Sequence, residues 1–113
     1  MIPPSTLYGI ARCDTCRKAR VWLDEQDVIH RFHDFRKDGL DADWLRTLIN
    51  RVGYEQLINR RGTTWRQLDA VRKTDLTPDT AHALMLEYPT LIKRPILERG
   101  DDLWIGFPFP SLT

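Results

Sequence analysis

Cysteine is scarce in this sequence, which has only two, Cys13 and Cys16, among its 113 residues. A structural disulfide stabilises a protein mainly by closing a long loop, and a bond between these two positions would close almost none. The sequence is therefore not that of a disulfide-stapled secreted domain. In a reducing compartment, two cysteines at this spacing are typical of redox or metal chemistry.

Long apolar runs and an excess of either charge are also absent. No stretch approaches the roughly 20 apolar residues of a membrane span, and 17 basic side chains are balanced by 16 acidic ones. Residues 1–5 lack the basic start and apolar stretch of a signal peptide. We therefore expect a cytoplasmic monomer with neither nucleic-acid nor membrane partners, built as a single domain over 1–113.

The sequence does contain a change of period around the cysteines. Residues 6–10 are an apolar run that predicts a strand, and apolar positions at helical spacing predict a helix over about 14–26. Residues 28–35 alternate apolar and polar side chains, which predicts a second strand. The cysteine pair therefore lies at the strand-to-helix junction of a β-α-β unit, as thioredoxin-like redox motifs do.

The middle of the chain is predicted to be helical. Asp41 can cap a helix that Gly53 ends, and Thr77 can cap another helix further on. Between the two, residues 59–64 are polar and basic, which predicts a loop. A short helix after this loop is predicted to carry three apolar residues, Trp65, Leu68 and Val71.

The end of the chain is predicted to be extended. Residues 94–98 and 103–107 are two short apolar segments on either side of an acidic, glycine-led turn, which predicts a β-hairpin. The proline-rich tail at 108–111 predicts no regular structure. The whole order is β-α-β, helices, then β-β, which is typical of an α/β fold.

Cys13 is the candidate nucleophile. The reactive form of cysteine is the thiolate, and an unperturbed thiol with a pKa near ~8.5 is only slightly ionised at neutral pH. Cys13 lies at the start of the predicted helix, where free N–H groups and the helix dipole stabilise an anion, and basic neighbours such as Arg12 add to this effect. Cys16 lies one turn later on the apolar face, so we expect it to be buried and able to resolve a mixed disulfide.

Two other interpretations of the cysteine pair stay open. The first is a zinc site completed by His30 and His33, but positions three apart on a strand face opposite sides of a sheet. Both histidines could then not turn toward one metal, and no metal site is predicted. The second is an inert pair packed at the start of a helix.

Pro95 is the second informative residue. It lies immediately before a predicted strand, where a thioredoxin-like fold has a cis proline that faces the redox cysteine. In that arrangement Arg94 would be delivered beside Cys13. Spacing alone, however, favours an ordinary trans proline at the start of an edge strand.

Two separated segments resemble the arsenate reductase (ArsC)/Spx family, and within it the YffB-type subgroup: YGIARCDTCRKARVWL at 8–23 and YPTLIKRPIL at 88–97. The resemblance implies a thioredoxin-like core with a helical insertion at about 38–90. It also implies that Cys13 is the nucleophile, that Arg94 binds the oxyanion or thiol partner, and that Pro95 is the cis proline.

The resemblance further implies the electron donor and limits the substrate. Glutathione and glutaredoxin supply electrons to the family's reductases, so glutathione is the expected reductant and no bound cofactor is expected. The family's arsenate reductases use two more arginines. At the first of these positions this chain has Asn59, with Arg60 and Arg61 directly after it, and at the second it has Phe107. Because an oxyanion with several charges needs several fixed positive donors, a thiol reductase is expected rather than an arsenate reductase. Its expected substrate is a disulfide or a small oxyanion. Groups expected to bind glutathione or the substrate are Arg12, Arg60, Arg61 and Pro95.

The Spx branch of the family offers an alternative function of another class. Its members bind RNA polymerase and regulate transcription, with the cysteine pair as a redox switch. Residues 16–23 are similar to that branch too, so this helix does not separate the two functions. Only six residues follow Phe107, fewer than in Spx-type regulators, which favours the reductase.

Overall fold

The computed structural model describes residues 4–110 and 112. These residues form two compact units, the first made of the chain up to Gly39 and from Arg94 onward, and the second of Leu40–Lys93. Most of residues 1–5, judged above for a signal peptide, and Ser111 of the tail lie outside the described residues.

A four-stranded sheet with one long helix makes up the first unit. Its elements are β1 (Ser5–Gly9), α1 (Asp14–Glu25), β2 (His30–Asp34), β3 (Ile96–Arg99) and β4 (Asp102–Ile105). The strand order is β2-β1-β3-β4, with β1 and β2 parallel and the other neighbours antiparallel. The predicted β-α-β unit and hairpin are therefore confirmed, in an α/β fold of thioredoxin-like arrangement.

The core of this unit lies between the sheet and α1. Leu7 of β1 is fully buried, and so are Ala19 and Leu23 of α1, which recur at helical spacing. The predicted irregular tail has no strand or helix over 108–110, yet Phe109 is 4% exposed and belongs to the same core. The indole N–H of Trp104 donates to the carbonyl of Pro110 over 2.7 Å, which holds the tail against the sheet.

The second strand is shorter than predicted. The prediction began it at position 28, but β2 begins at His30, and Ile29 is 93% exposed. The reason is the way α1 ends: Asp27 has a φ of +56°, and the Val28 N–H donates to the Leu23 carbonyl over 2.9 Å. Val28 is thus used to close the helix rather than to extend the strand.

The second unit is mainly helical, with one isolated antiparallel bridge between Ile58 and Ile92. Its helices are α2 (Ala42–Val52), α3 (Tyr54–Leu57), α4 (Thr63–Gln67), α5 (Ala70–Lys73) and α6 (Pro78–Glu87), followed by a 3₁₀ turn at Pro89–Leu91. The predicted caps are confirmed. The Asp41 carboxylate accepts the first N–H groups of α2, Gly53 ends that helix with a φ of +86°, and Thr77 forms a capping box with Thr80. No helix within the described residues is both long and apolar enough to cross a membrane.

The prediction of a single short helix after the loop is wrong. The chain forms two separate helical turns, α4 and α5, because Leu68 and Asp69 are extended, with ψ angles of 146° and 143°. The Asp69 carbonyl then accepts the Arg72 N–H over 3.0 Å and begins the new turn. Val71, one of the three apolar residues of the predicted helix, is 82% exposed.

Replacing Gly9 by alanine should destabilise the protein through the Cys16 side chain. An added Cβ would lie 2.5 Å from the Cys16 sulfur, whereas its other contacts, at 3.5 Å and beyond, are ordinary. We expect Gly9→Ala to lower the free energy of unfolding by about 1–3 kcal/mol, the usual cost of overpacking, as measured by urea denaturation.

The matched control for this change is the same substitution in a Cys16→Ala background, where the sulfur is gone. There the cost of Gly9→Ala should largely disappear, giving a coupling energy between the two positions. Equal costs in both backgrounds would show that the Cys16 sulfur is not what excludes a side chain at position 9.

Candidate active site

A short turn presents Cys13 at the start of α1. β1 ends at Gly9, and the Cys13 N–H donates to the Ile10 carbonyl over 3.0 Å, which closes the turn between strand and helix. Cys13 is the N-cap residue of α1 and is half-buried. Its sulfur therefore lies where the unpaired N–H groups of the first helical turn favour a negative charge.

Cys16 lies one turn further into α1 and differs strongly from Cys13. It is fully buried, as the sequence predicted, and both cysteines are free thiols. Burial raises the pKa of Cys16 to about 12, and the nearby Cys13 sulfur acts in the same direction. Cys16 is thus a neutral thiol at physiological pH.

Arg94 reaches Cys13 from the segment that leads into β3. Its guanidinium hydrogen-bonds the Cys13 sulfur, although more than 80 residues separate the two along the chain. The Arg94–Pro95 peptide bond is cis, so the trans proline favoured by spacing alone is wrong and the geometry implied by the resemblance is observed. Pro95 is buried, and its carbonyl accepts the Gly106 N–H over 2.7 Å.

Opposing influences determine the ionisation of Cys13. Burial is the largest of them and opposes ionisation, but hydrogen bonds from the Cys16 backbone, the Cys16 thiol and Arg94 together outweigh it. The positive charge of Arg94 adds to their effect. The pKa of Cys13 is therefore lowered from its ordinary value, so the two cysteines, although one turn apart, are shifted in opposite directions.

Asp34 belongs to this site and was missed by the sequence reasoning. It is the last residue of β2 and is 8% exposed, and its carboxylate accepts the Ala11 N–H over 3.0 Å. It also accepts the N–H groups of Arg36 and Lys37. Burial tends to raise its pKa, but the three backbone donors prevail and hold the pKa below its usual range. The one signal in the sequence was an acidic residue at the end of a predicted strand.

The remaining predicted binding residues lie in different places. Arg12 is exposed in the turn that precedes Cys13. Arg60 and Arg61 belong to the second unit, in the segment between α3 and α4, where the Arg60 guanidinium lies 5.5 Å from the centre of the Trp65 ring. The Arg61 N–H donates to the Asn59 side chain over 3.1 Å. Binding by these three arginines stays a prediction.

The histidines of the zinc interpretation have other partners. His30 and His33 both lie on β2, and their ring nitrogens contact the backbone carbonyls of Val28 and Gly39, at 2.9 and 2.7 Å. Over residues 4–110 and 112, no three or more histidine, cysteine or acidic side chains are grouped so that they could hold a metal ion.

Comparison with known sequences identifies relatives over most of the chain. The model of the ArsC family matches residues 8–111. An uncharacterized protein of Haemophilus influenzae is 45% identical over 102 residues, which cover 90% of each chain. The global transcriptional regulator Spx of Streptococcus mutans is 31% identical over 104 residues, covering 90% of this chain and 75% of the regulator.

Solved structures of similar fold include two with high sequence identity. The YFFB protein is 46% identical with a TM-score of 0.87, over 92% of this chain and 91% of that protein. An arsenate reductase (ArsC) related protein from Brucella melitensis is 44% identical with a TM-score of 0.80, over 96% of this chain and 89% of its own.

Alkylation should separate the two cysteines. Because the pKa of Cys13 is lowered and that of Cys16 is raised to about 12, iodoacetamide at neutral pH should modify Cys13 only. The rate should rise with pH to a plateau below the pH at which an ordinary thiol ionises. Removing one charge-assisted hydrogen bond in Arg94→Gln should slow the reaction at pH 7 on the order of tenfold.

Arg99→Gln is the control for a lost arginine in the same unit. Peptide mass spectrometry after alkylation identifies the modified residue. Modification of Cys16 at neutral pH, or an Arg94→Gln rate equal to that of the control, would contradict this account of the site.

Proposed function

Because the chain belongs to the ArsC family, we propose that it is a thiol-disulfide oxidoreductase that uses glutathione as its reductant, with Cys13 as the nucleophile. The observation that carries this proposal is the set of hydrogen bonds that lower the pKa of Cys13, which come from the Cys16 backbone, the Cys16 thiol and Arg94. A thiolate at the N-terminus of a helix, beside a fixed arginine, is suited to attack on sulfur.

In the proposed reaction the Cys13 thiolate attacks one sulfur of a disulfide. The disulfide bond breaks, that sulfur becomes bonded to Cys13, and the other sulfur leaves as a thiolate. With oxidised glutathione the products are a Cys13–glutathione mixed disulfide and one glutathione thiolate. Arg94 stabilises the Cys13 thiolate before the attack, and its charge also favours the departing thiolate.

Either of two thiols can resolve the mixed disulfide. Cys16 is one turn away, and its attack would release glutathione and leave a Cys13–Cys16 disulfide. A second glutathione would instead regenerate the Cys13 thiol directly and form oxidised glutathione. The pKa of Cys16, raised by burial to about 12, favours the second glutathione, because attack requires a thiolate.

Charge favours an anionic thiol substrate such as glutathione, which carries two carboxylates. Arg94 and the exposed Arg12 lie in the same unit as Cys13. Arg60 and Arg61 are also proposed to bind the anionic thiol. Pro95 is proposed to line the site beside Arg94. Glutaredoxin is a second proposed electron carrier, and a reducing cytoplasm, with the protein as a monomer, is the proposed setting.

Arsenate is not the proposed substrate. An oxyanion with several charges needs several fixed cationic donors, and Phe107 stands where the family's arsenate reductases have an arginine. The centre of the Phe107 ring lies 6.0 Å from the centre of the Trp22 ring and 5.2 Å from that of Phe109, so Phe107 belongs to an aromatic cluster. A disulfide, which makes a smaller demand for positive charge, suits the site better.

Oxidised glutathione should form a mixed disulfide with Cys13, because this thiol ionises at the lower pH. Whole-protein mass spectrometry should show one added glutathione, which Cys13→Ser abolishes. Reduction of an added disulfide other than oxidised glutathione, with reduced glutathione present and followed as NADPH consumption through glutathione reductase, should be lost in the same variant. The adduct on Cys16 alone would contradict the proposal.

Cys16→Ser then assigns the resolving thiol. Serine keeps a hydroxyl that can donate to Cys13 but cannot attack sulfur. Retained turnover assigns resolution to the second glutathione, and loss of turnover with an accumulating Cys13 adduct assigns it to Cys16.

A redox-responsive transcriptional regulator is the second candidate function. It is favoured by the similarity to Spx regulators, among them the Streptococcus mutans protein described above. A regulator of this kind should bind purified RNA polymerase, with an affinity that depends on the oxidation state of the cysteines. Binding measured by surface plasmon resonance, without turnover of any disulfide, would favour this function over the reductase.

A further inference from the structure

Asp34 joins the turn before Cys13 to the loop that follows β2. One carboxylate oxygen, Oδ2, accepts the Ala11 N–H over 3.0 Å. The other, Oδ1, accepts the Arg36 N–H over 2.8 Å and the Lys37 N–H over 3.3 Å. The side chain is nearly buried, at 8% exposure, so these three backbone donors take the place of water around the charge.

The hydrogen bond from Ala11 to Asp34 lies within the turn that positions Cys13. On one side of Ala11, the Gly9 carbonyl accepts the Phe35 N–H over 2.8 Å, which fixes the end of β1. On the other side, the turn is closed by the Cys13 N–H and the Ile10 carbonyl. The Asp34 carboxylate therefore holds Ala11, the middle one of the three residues that connect the end of β1 to Cys13.

We propose that Asp34 is a positioning residue for Cys13, because its carboxylate fixes the 10–13 turn and so keeps the Cys13 sulfur against Arg94 and the first turn of α1. The inference rests on the proposed role of Cys13 as the nucleophile. Asp34 itself need not touch the substrate; it acts through the backbone of Ala11.

Asparagine cannot replace aspartate in this arrangement. The carboxylate offers acceptors on both sides, and the three N–H groups approach from two sides. An asparagine side chain has one oxygen, so its NH₂ group must face either the Ala11 N–H or the N–H groups of Arg36 and Lys37. Two donors facing each other at a buried site leave both unsatisfied, and one loop must move away.

The test is the pKa of Cys13 in Asp34→Asn, measured from the pH dependence of alkylation and of thiolate absorbance. Loss of a negative charge alone would favour the thiolate and lower this pKa. Release of the turn takes the sulfur away from its donors and raises the pKa. We expect the pKa to rise and the mixed-disulfide reaction at pH 7 to slow on the order of tenfold.

Asp38→Asn is the matched control. Asp38 is an exposed carboxylate in the same loop that accepts the Asp34 N–H over 2.9 Å, and it makes no contact with the 10–13 turn among the hydrogen bonds described. Its loss should leave the Cys13 pKa unchanged or slightly lower. Circular dichroism at the working temperature establishes that each variant is folded.

Asp34→Glu provides a second variant in case Asp34→Asn does not fold. It keeps the charge but moves the oxygens by one methylene, so positioning predicts a raised Cys13 pKa here too. A pKa that is unchanged or lower in the folded variant overturns the inference. If instead the wild-type protein has an ordinary Cys13 pKa and forms no mixed disulfide, the proposed function fails, which is a separate result.

Discussion

The negative charge on the Cys13 sulfur is the constraint on which the site depends. Partial burial disfavours that charge, so donors must outweigh the loss of water. The first turn of α1 supplies backbone N–H groups, and Arg94 supplies a guanidinium from before β3. Each is effective only within hydrogen-bond distance, so the position of one sulfur ties together segments from both ends of the chain.

The end of β1, which leads to this site, is crowded. Cys16 packs directly against Gly9, and no side chain fits between them without a shift. The same strand end pairs with β2, where the Gly9 carbonyl accepts the Phe35 N–H and Asp34 accepts the Ala11 N–H. The strand, the turn and the helix are thus connected by close contacts and hydrogen bonds, which position the Cys13 sulfur beside its donors.

The reductase and the regulator need the same chemistry at Cys13. Both begin with a thiolate that reacts with an oxidant or a disulfide, and the thioredoxin-like fold supplies that thiolate whatever the partner is. The difference lies in what approaches the site, a small anionic thiol or a large protein. Family membership therefore supports the proposed role of Cys13 more directly than it supports any one substrate.

The sequence by itself determined the local features. The periods of apolar residues predicted β1, α1 and the hairpin, and Asp41 and Thr77 predicted two helix starts, because these features depend on residues within a few positions of one another. The opposite characters of Cys13 and Cys16 also followed from their places at the start and on the apolar face of one helix. The predicted start of β2 was wrong because Val28, which fits a strand by its side chain, instead donates its N–H to the last turn of α1.

Only the tertiary structure decided which distant groups meet. Ala11 and Asp34 are 23 positions apart, and neither the cis geometry of Pro95 nor the burial of Phe109 follows from its neighbours in the chain. A buried carboxylate needs hydrogen-bond donors around it. The N–H groups of Arg36 and Lys37 are local donors to Asp34, but strand pairing brings in the third donor, the Ala11 N–H. The sequence thus singled out Cys13, and the tertiary structure decided what holds it in place.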